Sequence, residues 1–485
     1  MESHRLAVTA NTLPDDVLRE IFAFCLSSYR GPFNRHGYKL PIKHMTGWQR
    51  LVQVCRKWRH IIYGSPCYLD LHLYYSYPFS GHRRVFRENL RRWPKFPIIV
   101  NEFVDSKQVS DNVIEALEHP DRVDRVHLSI EALGSGAREV LEAMEAPFPA
   151  LTYLDLAGPA CEEAVWDLPD RFLGGSAPCL QHLRLTEISY PALPKLLLSA
   201  RGLVTLELDC TPASGYGYIS PEAIVGGLAG LTKLRTLCIK FSYPDPLDWD
   251  ERLEKTRHPD PPMHAVLPAL TEFTFKGESR YLEDLMAQID TPRLEDIDVV
   301  FFTVEIETRQ LYQFLGRIPN LDLKQFKRAQ VMHGEYYVTV QLDRPRGESH
   351  QVRFCLSVKI SCMARVLGRL FATLSDVDHL TISKQTWHGG DAIIKNIEWL
   401  PLLHLFPVVK VLRVYGDLAE HITTVLEDIA EETVTKVLPA LRLLWLEVGD
   451  KPVGSTERFL SSRQRSGHPV TLVKTLIKTQ DEFVG

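Results

Sequence analysis

A recurring arrangement of apolar positions occupies most of the chain. Its unit is apolar-x-x-apolar-x-apolar, usually after a short turn that contains proline or glycine. The copies begin at Val123, Leu151, Leu180, Leu203, Leu234, Leu270, Leu294, Val377, Val409 and Leu441, with a degraded copy at Leu321. One unit near residues 335–358 has lost the pattern. Self-similarity at this spacing predicts stacked units that share one hydrophobic core.

Within each copy the apolar positions alternate, which predicts a short strand with one buried face. Helical spacing between copies predicts helices, the clearest at 137–144, 224–228, 281–289, 310–315, 362–371 and 422–429. Ser220 before Pro221 predicts a helix N-cap, and Ser279 is expected to cap the helix that follows it. The region therefore resembles an irregular leucine-rich-repeat solenoid of strand-helix units, in the α/β class. An ordinary α/β domain with leucine-rich strands is the alternative.

The first seventy residues predict amphipathic helices. A proline and two aspartates at 14–16 form a helix entry, and this helix is expected to continue to about Leu26. A second helix is predicted from near Trp48 to Ile62. So few short helices cannot bury this many large apolar side chains against each other. The surplus apolar surface predicts an interaction site.

Two segments of this region resemble the two halves of the F-box motif. They are Leu13-Pro14-Asp15-Asp16-Val17-Leu18-Arg19-Glu20-Ile21-Phe22 and Leu51-Val52-Gln53-Val54-Cys55-Arg56-Lys57-Trp58-Arg59-His60-Ile61. The match covers about residues 12–70. Two further runs are similar to the fungal F-box proteins that carry leucine-rich repeats, namely Ser65-Pro66-Cys67-Tyr68-Leu69-Asp70-Leu71 and Trp93-Pro94-Lys95-Phe96-Pro97-Ile98. In that family the F-box binds the Skp-type adaptor of a cullin-RING ubiquitin ligase. The repeats recruit the protein that is to be ubiquitinated.

The resemblance implies a non-catalytic substrate receptor of an SCF-type ubiquitin ligase, with a protein substrate that the sequence does not identify. It assigns the adaptor interface, or the small core supporting it, to Leu13, Pro14, Leu18, Ile21, Phe22, Leu51, Val54, Cys55 and Trp58. Residues 27–47 form an insert longer than the usual spacing between the motif halves. We expect an F-box at 12–70, a basic linker at 71–105, and the solenoid at 106–475 with an insertion near 244–262. The alternative is a repeat scaffold or receptor whose N-terminal helices only cap the solenoid, with no ubiquitin role.

The net charge of −5 conceals a local asymmetry. Between Leu26 and Phe96 the chain has fourteen Lys or Arg and two acidic residues. Basic side chains interleaved with aromatic ones can bind nucleic acid. Those at 56–59 already fit the solvated face of an F-box helix, and those at 83–92 fit a linking helix. This interpretation is favoured over a nucleic-acid partner, which is the alternative.

Nine scattered cysteines without a Cys-x-x-Cys pair indicate a reducing compartment. No uninterrupted apolar run reaches the length of a membrane span. We therefore expect a cytoplasmic or nuclear protein and no membrane partner.

Motifs for bond chemistry are weak. Gly134-Ser135-Gly136 has the setting of a dinucleotide-binding turn, but Glu139 takes the third glycine position. The loop at 387–391 contains His388 without a second metal ligand at the required spacing. We expect no enzymatic activity, cofactor or metal, and a site assembled from distant residues is the alternative.

Substrate contacts have only general candidates. A loop at 244–262, rich in proline and charge, is either a solvated insertion or a substrate-contacting loop. The aromatic loop around Tyr216 has the same two interpretations. Outward strand positions are further candidates, because alternation directs them away from the core. They are Asp155, Arg184, Glu207, Cys238 and Thr274.

Overall fold

The computed structural model is a mixed α/β structure in which parallel strand pairing predominates. It describes residues 12–27, 50–65, 69, 72–76, 83–93, 95–130, 136–158, 166–210, 219–241, 264–302, 306–319, 326–334, 337–343, 352–359, 366, 368, 376–384, 399–429, 433–448 and 456–476. The chain divides into two compact units, Met1–Ala200 and Arg201–Gly485.

The first unit begins with helices and continues with alternating strands and helices. Its elements are α1 (Asp15–Ser27), α2 (Arg56–Gly64), β1 (Leu73–Ser76), α3 (Arg83–Arg92), β2 (Ile98–Val104), α4 (Lys107–Leu117), β3 (Val123–Ile130), α5 (Ala137–Ala143), β4 (Tyr153–Ala157), β5 (Trp166–Asp167), a 3-10 turn (Phe172–Gly175), β6 (His182–Thr186), β7 (Ile188–Ser189) and α6 (Leu193–Ser199). Strands β1, β2, β3, β4 and β6 pair in that order, all parallel. Strands β5 and β7 form a separate parallel pair.

The second unit repeats the strand-helix alternation. Its elements are β8 (Thr205–Cys210), α7 (Pro221–Leu228), β9 (Thr236–Phe241), β10 (Ala265–Val266), β11 (Glu272–Gly277), α8 (Ser279–Gln288), β12 (Ile289–Asp290), β13 (Asp296–Phe301), α9 (Arg309–Arg317), β14 (Arg328–His333), β15 (Tyr337–Asp343), β16 (Arg353–Lys359), β17 (His379–Lys384), α10 (Trp399–His404), β18 (Val411–Tyr415), α11 (Leu418–Glu427), β19 (Leu443–Val448), α12 (Glu457–Arg465) and β20 (Thr471–Leu476). Its sheet has the order β8-β9-β11-β13-β16-β15-β14-β17-β18-β19-β20.

The alternation predicted for the repeat copies is confirmed. In every complete copy, all three apolar positions are buried, and none of these residues is more than 4% exposed. Full burial of such a side chain contributes about 1.5–3 kcal/mol. Backbone bonds also extend the pairing ahead of the strands, as where the Arg235 N–H donates to the Val204 carbonyl at 2.8 Å and the Thr271 N–H to the Arg235 carbonyl at 2.9 Å. The apolar positions therefore supply the core, and backbone bonds of the residues between them help to set the register.

The unit that lost its apolar pattern folds differently from its neighbours. Strands β14, β15 and β16 form an antiparallel meander, in which Val331 faces Val340 and Val340 faces Leu356. The Gly334 N–H donates to the Tyr337 carbonyl at 2.8 Å and closes the first hairpin. A strand-helix unit was expected to be stacked here in parallel, but the sequence between β14 and β15 is too short for a crossover helix.

Helix starts agree with the sequence in part. The Ser220 hydroxyl accepts a bond from the Ala223 N–H at 3.3 Å, which confirms the predicted N-cap. Ser279 does not cap its own helix, because it lies inside α8, after Glu278. Its hydroxyl instead accepts a bond from the Glu307 N–H at 3.1 Å. Of the helix predicted at 362–371, only residues 366 and 368 are described.

Gly136 is required by the turn before α5. Its φ of 121° lies in a region that L side chains rarely adopt, and a Cβ there would lie 2.4 Å from the Ser110 Oγ. This glycine therefore allows α4 and α5 to approach closely. The preceding Gly134 and Ser135 lie outside the described residues.

Candidate interaction surface

The two N-terminal helices pack through an aromatic pair. The ring centroids of Phe22 in α1 and Trp58 in α2 are 4.8 Å apart, with an interplanar angle of 64°. Phe22 and Leu18 are each only 1% exposed. An edge-to-face pair contributes about 0.5–1.5 kcal/mol beyond the burial of its area. Leu18, Phe22 and Trp58 thus form the core that holds the two helices together.

A polar contact fixes the start of α1 against α2. The Lys57 ammonium donates to the Leu13 carbonyl at 2.6 Å and lies 3.3 Å from an oxygen of Asp15. Within α1 the Leu18 N–H donates to the Pro14 carbonyl at 3.0 Å. The helix therefore begins at the proline-aspartate entry that the sequence predicts.

The sequence predicts one continuous second helix from near Trp48 to Ile62, and this continuity is wrong. Arg50 and Leu51 are helical, but residues 52–54 form a turn and α2 begins at Arg56. Cys55 interrupts the helix because its backbone is extended, with φ −157° and ψ 172°. Its sulfur accepts a bond from the Trp58 N–H at 3.5 Å and caps the new helix.

Apolar side chains that find no place in this small core point to solvent. Val17 is 39% exposed, Ile21 41% and Phe24 80%. Their spacing of four and three residues places them on one face of α1. We call these three residues the apolar stripe. Val54, in the turn before α2, is 59% exposed as well.

The structure separates the residues assigned to the adaptor interface into three groups. Leu18 and Phe22 are buried. Leu13, Leu51, Cys55 and Trp58 are partly exposed, and Pro14, Ile21 and Val54 are exposed. The residues assigned to the adaptor interface do not include Val17 and Phe24. Their spacing relative to Ile21 could have identified them as part of the same helix face.

Several predicted features lie outside the described residues. These are nearly all of the 27–47 insert, the loop around Tyr216, the insertion at 244–262, the degraded copy at Leu321 and the loop around His388.

The outward strand positions are less open than alternation alone suggests. Asp155 is 4% exposed, and its Oδ2 accepts a bond from the His127 Nδ1 at 2.9 Å. Cys238 is 8% exposed. Arg184, Glu207 and Thr274 are half-buried. A substrate approaching these strands would therefore meet mostly the ends of polar side chains.

Neighbouring strands of the second unit carry a charged pair on this outward side. Arg353 donates to both carboxylate oxygens of Asp296, at 2.9 and 2.8 Å. Two residues along the same strand pair, Asp298 faces Cys355. Burial raises the pKa of the Asp298 carboxyl, although a bond from Cys355 and the charge of Arg353 oppose this. Burial, and then the adjacent Asp298, raises the pKa of the Cys355 thiol, which keeps it protonated and unreactive.

Within the part of the chain that the structure describes, no group of three or more His, Cys, Asp or Glu side chains is arranged to hold a metal ion. No helix in the described ranges is long and apolar enough to span a bilayer.

No protein-family model matches this chain, and no curated protein matches it.

Proposed function

We propose that this protein is a non-catalytic substrate receptor, in which the N-terminal helices bind a Skp-type adaptor of a cullin-RING ubiquitin ligase. The observation that carries the proposal is the exposed apolar stripe of α1. It lies outside the small core that Phe22 and Trp58 form between α1 and α2. Large apolar side chains grouped on one exposed helix face are typical of a protein-binding surface. The F-box resemblance names the partner.

The strand-helix units support the second half of the proposal, a leucine-rich-repeat solenoid that binds the substrate. Parallel strands with fully buried inner positions recur through both units. The outer positions of these strands differ from copy to copy, as a recognition surface requires. The mechanism is proximity, because holding a substrate near a ubiquitin-charged enzyme makes the transfer effectively intramolecular.

A basic side chain of the linker has an acidic partner within the first unit. Arg87 in α3 makes a two-bond contact with Glu115 in α4, one of its bonds at 2.9 Å. A fork-shaped contact of this kind fixes orientation as well as charge. In the proposal, this contact holds the linking helix to the first strand-helix unit.

Adaptor binding is tested with surface substitutions. Ile21→Asp or Val54→Asp is expected to weaken binding of a recombinant Skp-type adaptor at least about tenfold, because each places a charge in an apolar interface. Leu198→Asp is the matched control, since Leu198 is 59% exposed like Val54 but lies in α6. It should bind the adaptor like the wild type. Co-elution and calorimetric titration measure the affinities.

Two results contradict the proposal. One is a wild-type protein that does not bind the adaptor at micromolar concentration. The other is an equal loss of affinity in Leu198→Asp, which would place the interface elsewhere or show a general loss of folding. Thermal unfolding of all three variants separates these two causes.

A second candidate is a repeat scaffold whose N-terminal helices only cap the first unit. It is favoured by close packing at the end of α2, where the ring centroids of Tyr63 and Trp93 are 4.4 Å apart. It is also favoured by β1, which pairs with β2 and so joins the residues after α2 to the sheet. Terminal caps of this kind keep a stacked core soluble.

Removal of residues 1–70 distinguishes the two functions. If the helices are a cap, the shortened chain is expected to aggregate or to lose its cooperative melting transition. If they are an adaptor-binding module, it should stay soluble and melt cooperatively while losing the adaptor. Size-exclusion chromatography and calorimetry report these outcomes.

A further inference from the structure

A pocket of about 460 Å³ lies between α2 and the segment that follows α3. Its lining consists of Arg56, Arg59, His60, Tyr63, Gly64, Arg92, Trp93, Lys95 and Phe96. The residues from α2 recur at intervals of three and four, so one face of that helix forms a wall. The volume is that of a site for a small molecule. The F-box assignment does not use this pocket.

The charges around the pocket are all of one sign. Its lining has three arginines, a lysine and a histidine, and among the described residues none of these side chains forms an ion pair with a carboxylate. Elsewhere in the same unit, Arg87, Lys107 and Arg125 each have an acidic partner. Cations that converge on a concavity without counter-charges attract anions.

Two of the guanidinium groups are held in place by neighbouring groups. The Nε of Arg59 donates to the Val52 carbonyl at 3.0 Å. The guanidinium of Arg92 lies 5.3 Å from the centre of the Trp93 ring, a cation–π contact. Both groups keep further N–H donors, which suit the fixed fork geometry of phosphate recognition.

Aromatic side chains form the rest of the lining. The ring centroid of Trp93 lies 4.4 Å from that of Tyr63 and 5.7 Å from that of Phe96. Phe96 is buried, whereas Tyr63 and Trp93 are partly exposed. Burial raises the pKa of Tyr63 despite the opposing charges of Arg59 and Arg92, so its hydroxyl stays protonated and can donate a bond. Exposed aromatic surface beside cations suits a flat heterocyclic ring.

We propose that this pocket binds a nucleoside polyphosphate, with the phosphates on Arg56, Arg59, Arg92 and Lys95 and the base against Tyr63 and Trp93. The cations converge on one pocket instead of following a groove, which favours a small ligand over a nucleic-acid strand. The aromatic wall favours a ring-bearing phosphate over an acidic peptide, whose carboxylate side chains have no ring to stack.

The test is calorimetric titration of the full-length protein with adenosine triphosphate, inorganic tripolyphosphate and adenosine at low salt. Adenosine triphosphate is expected to bind with a Kd on the order of 10–100 μM, and more tightly than either of the other two. Arg92→Gln with Lys95→Gln should weaken this binding at least about tenfold. The matched control is Arg171→Gln with Lys195→Gln, which removes the same charge from exposed positions of the same unit.

A separate variant tests the aromatic wall. Trp93→Leu should weaken adenosine triphosphate binding several-fold and leave tripolyphosphate binding unchanged. Thermal unfolding checks that each variant is folded, and Tyr63→Leu replaces Trp93→Leu if the latter is not.

Four results would overturn the proposal. They are no binding of adenosine triphosphate at millimolar concentration, equal weakening in the control double variant, tripolyphosphate binding as tight as adenosine triphosphate, and tighter binding of an oligoribonucleotide or an acidic peptide. The last would identify a macromolecular ligand instead. Adaptor binding by the Arg92→Gln/Lys95→Gln variant, measured alongside, keeps failure here distinct from failure of the ubiquitin-ligase proposal.

Discussion

Arg463→Ala is expected to lower the free energy of unfolding of the second unit by about 3 kcal/mol, since it leaves a cavity and several buried carbonyls without a donor. Arg463 lies in α12 and is fully buried. Its guanidinium donates to the carbonyls of Val434, Pro439 and Leu441 at 3.2–3.4 Å. These bonds tie α12 to the segment that leads into β19.

Burial of the Arg463 charge offsets part of the stability that its hydrogen bonds contribute. Desolvation lowers the pKa of Arg463, which shows that the folded state disfavours the charged form. Arg463→Met separates the two effects, because methionine fills much of the space without the charge and without the donors. We expect Arg463→Met to be about 2 kcal/mol more stable than Arg463→Ala. Urea titration measures both variants, and hydrogen exchange locates the lost protection.

Arg458→Ala is the control, since Arg458 lies on the same helix and its backbone N–H, rather than its side chain, makes the bond to Glu427. Its unfolding free energy should stay within about 0.5 kcal/mol of the wild type. An Arg463→Ala variant as stable as this control would contradict the role assigned to the guanidinium.

Sequence periodicity was sufficient to predict the strands, but it was not sufficient to predict the side-chain contacts between successive repeat segments. Leu154 and Leu156 were predictable because alternation alone determines which face is buried. Arg463 was not, since an arginine in a polar helix is ordinarily exposed, and its acceptors lie 22–29 residues away. Only the folded chain brings those carbonyls together.

Residue type does not decide between two local structures that compete for one segment. Cys55 sits in an amphipathic pattern that fits a continuous helix, yet its extended backbone ends one helix and begins another. Ser279 has the residue type of an N-cap, yet it bonds to Glu307, 28 residues away. In the pocket beside α2, the basic and aromatic composition is visible in the sequence, but the convergence of residues 56–64 with 92–96 requires the fold.

A carboxylate on one helix caps the next, and its removal is the second large effect that we expect. Glu283 in α8 accepts bonds from the Gln310 N–H at 2.5 Å and the Leu311 N–H at 2.9 Å, at the start of α9. Thr308, the N-cap residue of α9, makes no side-chain cap bond. Glu283→Ala is therefore expected to reduce the unfolding free energy by about 3 kcal/mol, because it leaves two helix N–H groups without an acceptor.

Glu427 provides a matched comparison. Its Oε1 accepts bonds from the Arg458 N–H at 3.1 Å and the Phe459 N–H at 3.4 Å, which is the same kind of cap between successive helices. These bonds are longer, and Glu427 is less buried than Glu283, which is 6% exposed. Glu427→Ala should reduce the unfolding free energy by only about 1 kcal/mol. Urea titration of the two variants compares them, and equal losses would contradict the importance of burial.

The pH dependence of Glu283→Gln tests the electrostatics of this cap. Burial raises the pKa of Glu283, although the Gln310 and Leu311 N–H groups oppose this, and the neighbouring Glu307 and Asp284 raise the pKa further. The folded state therefore binds the proton more tightly than the unfolded chain, whose glutamate pKa is about 4.3. Stability from this group is present below that pH and is lost as pH rises through the folded-state pKa. Because glutamine does not titrate, the variant should gain stability relative to the wild type as the pH increases from about 4 towards 7. Urea titrations across that range measure the difference, and the opposite slope would show that the two N–H donors outweigh burial.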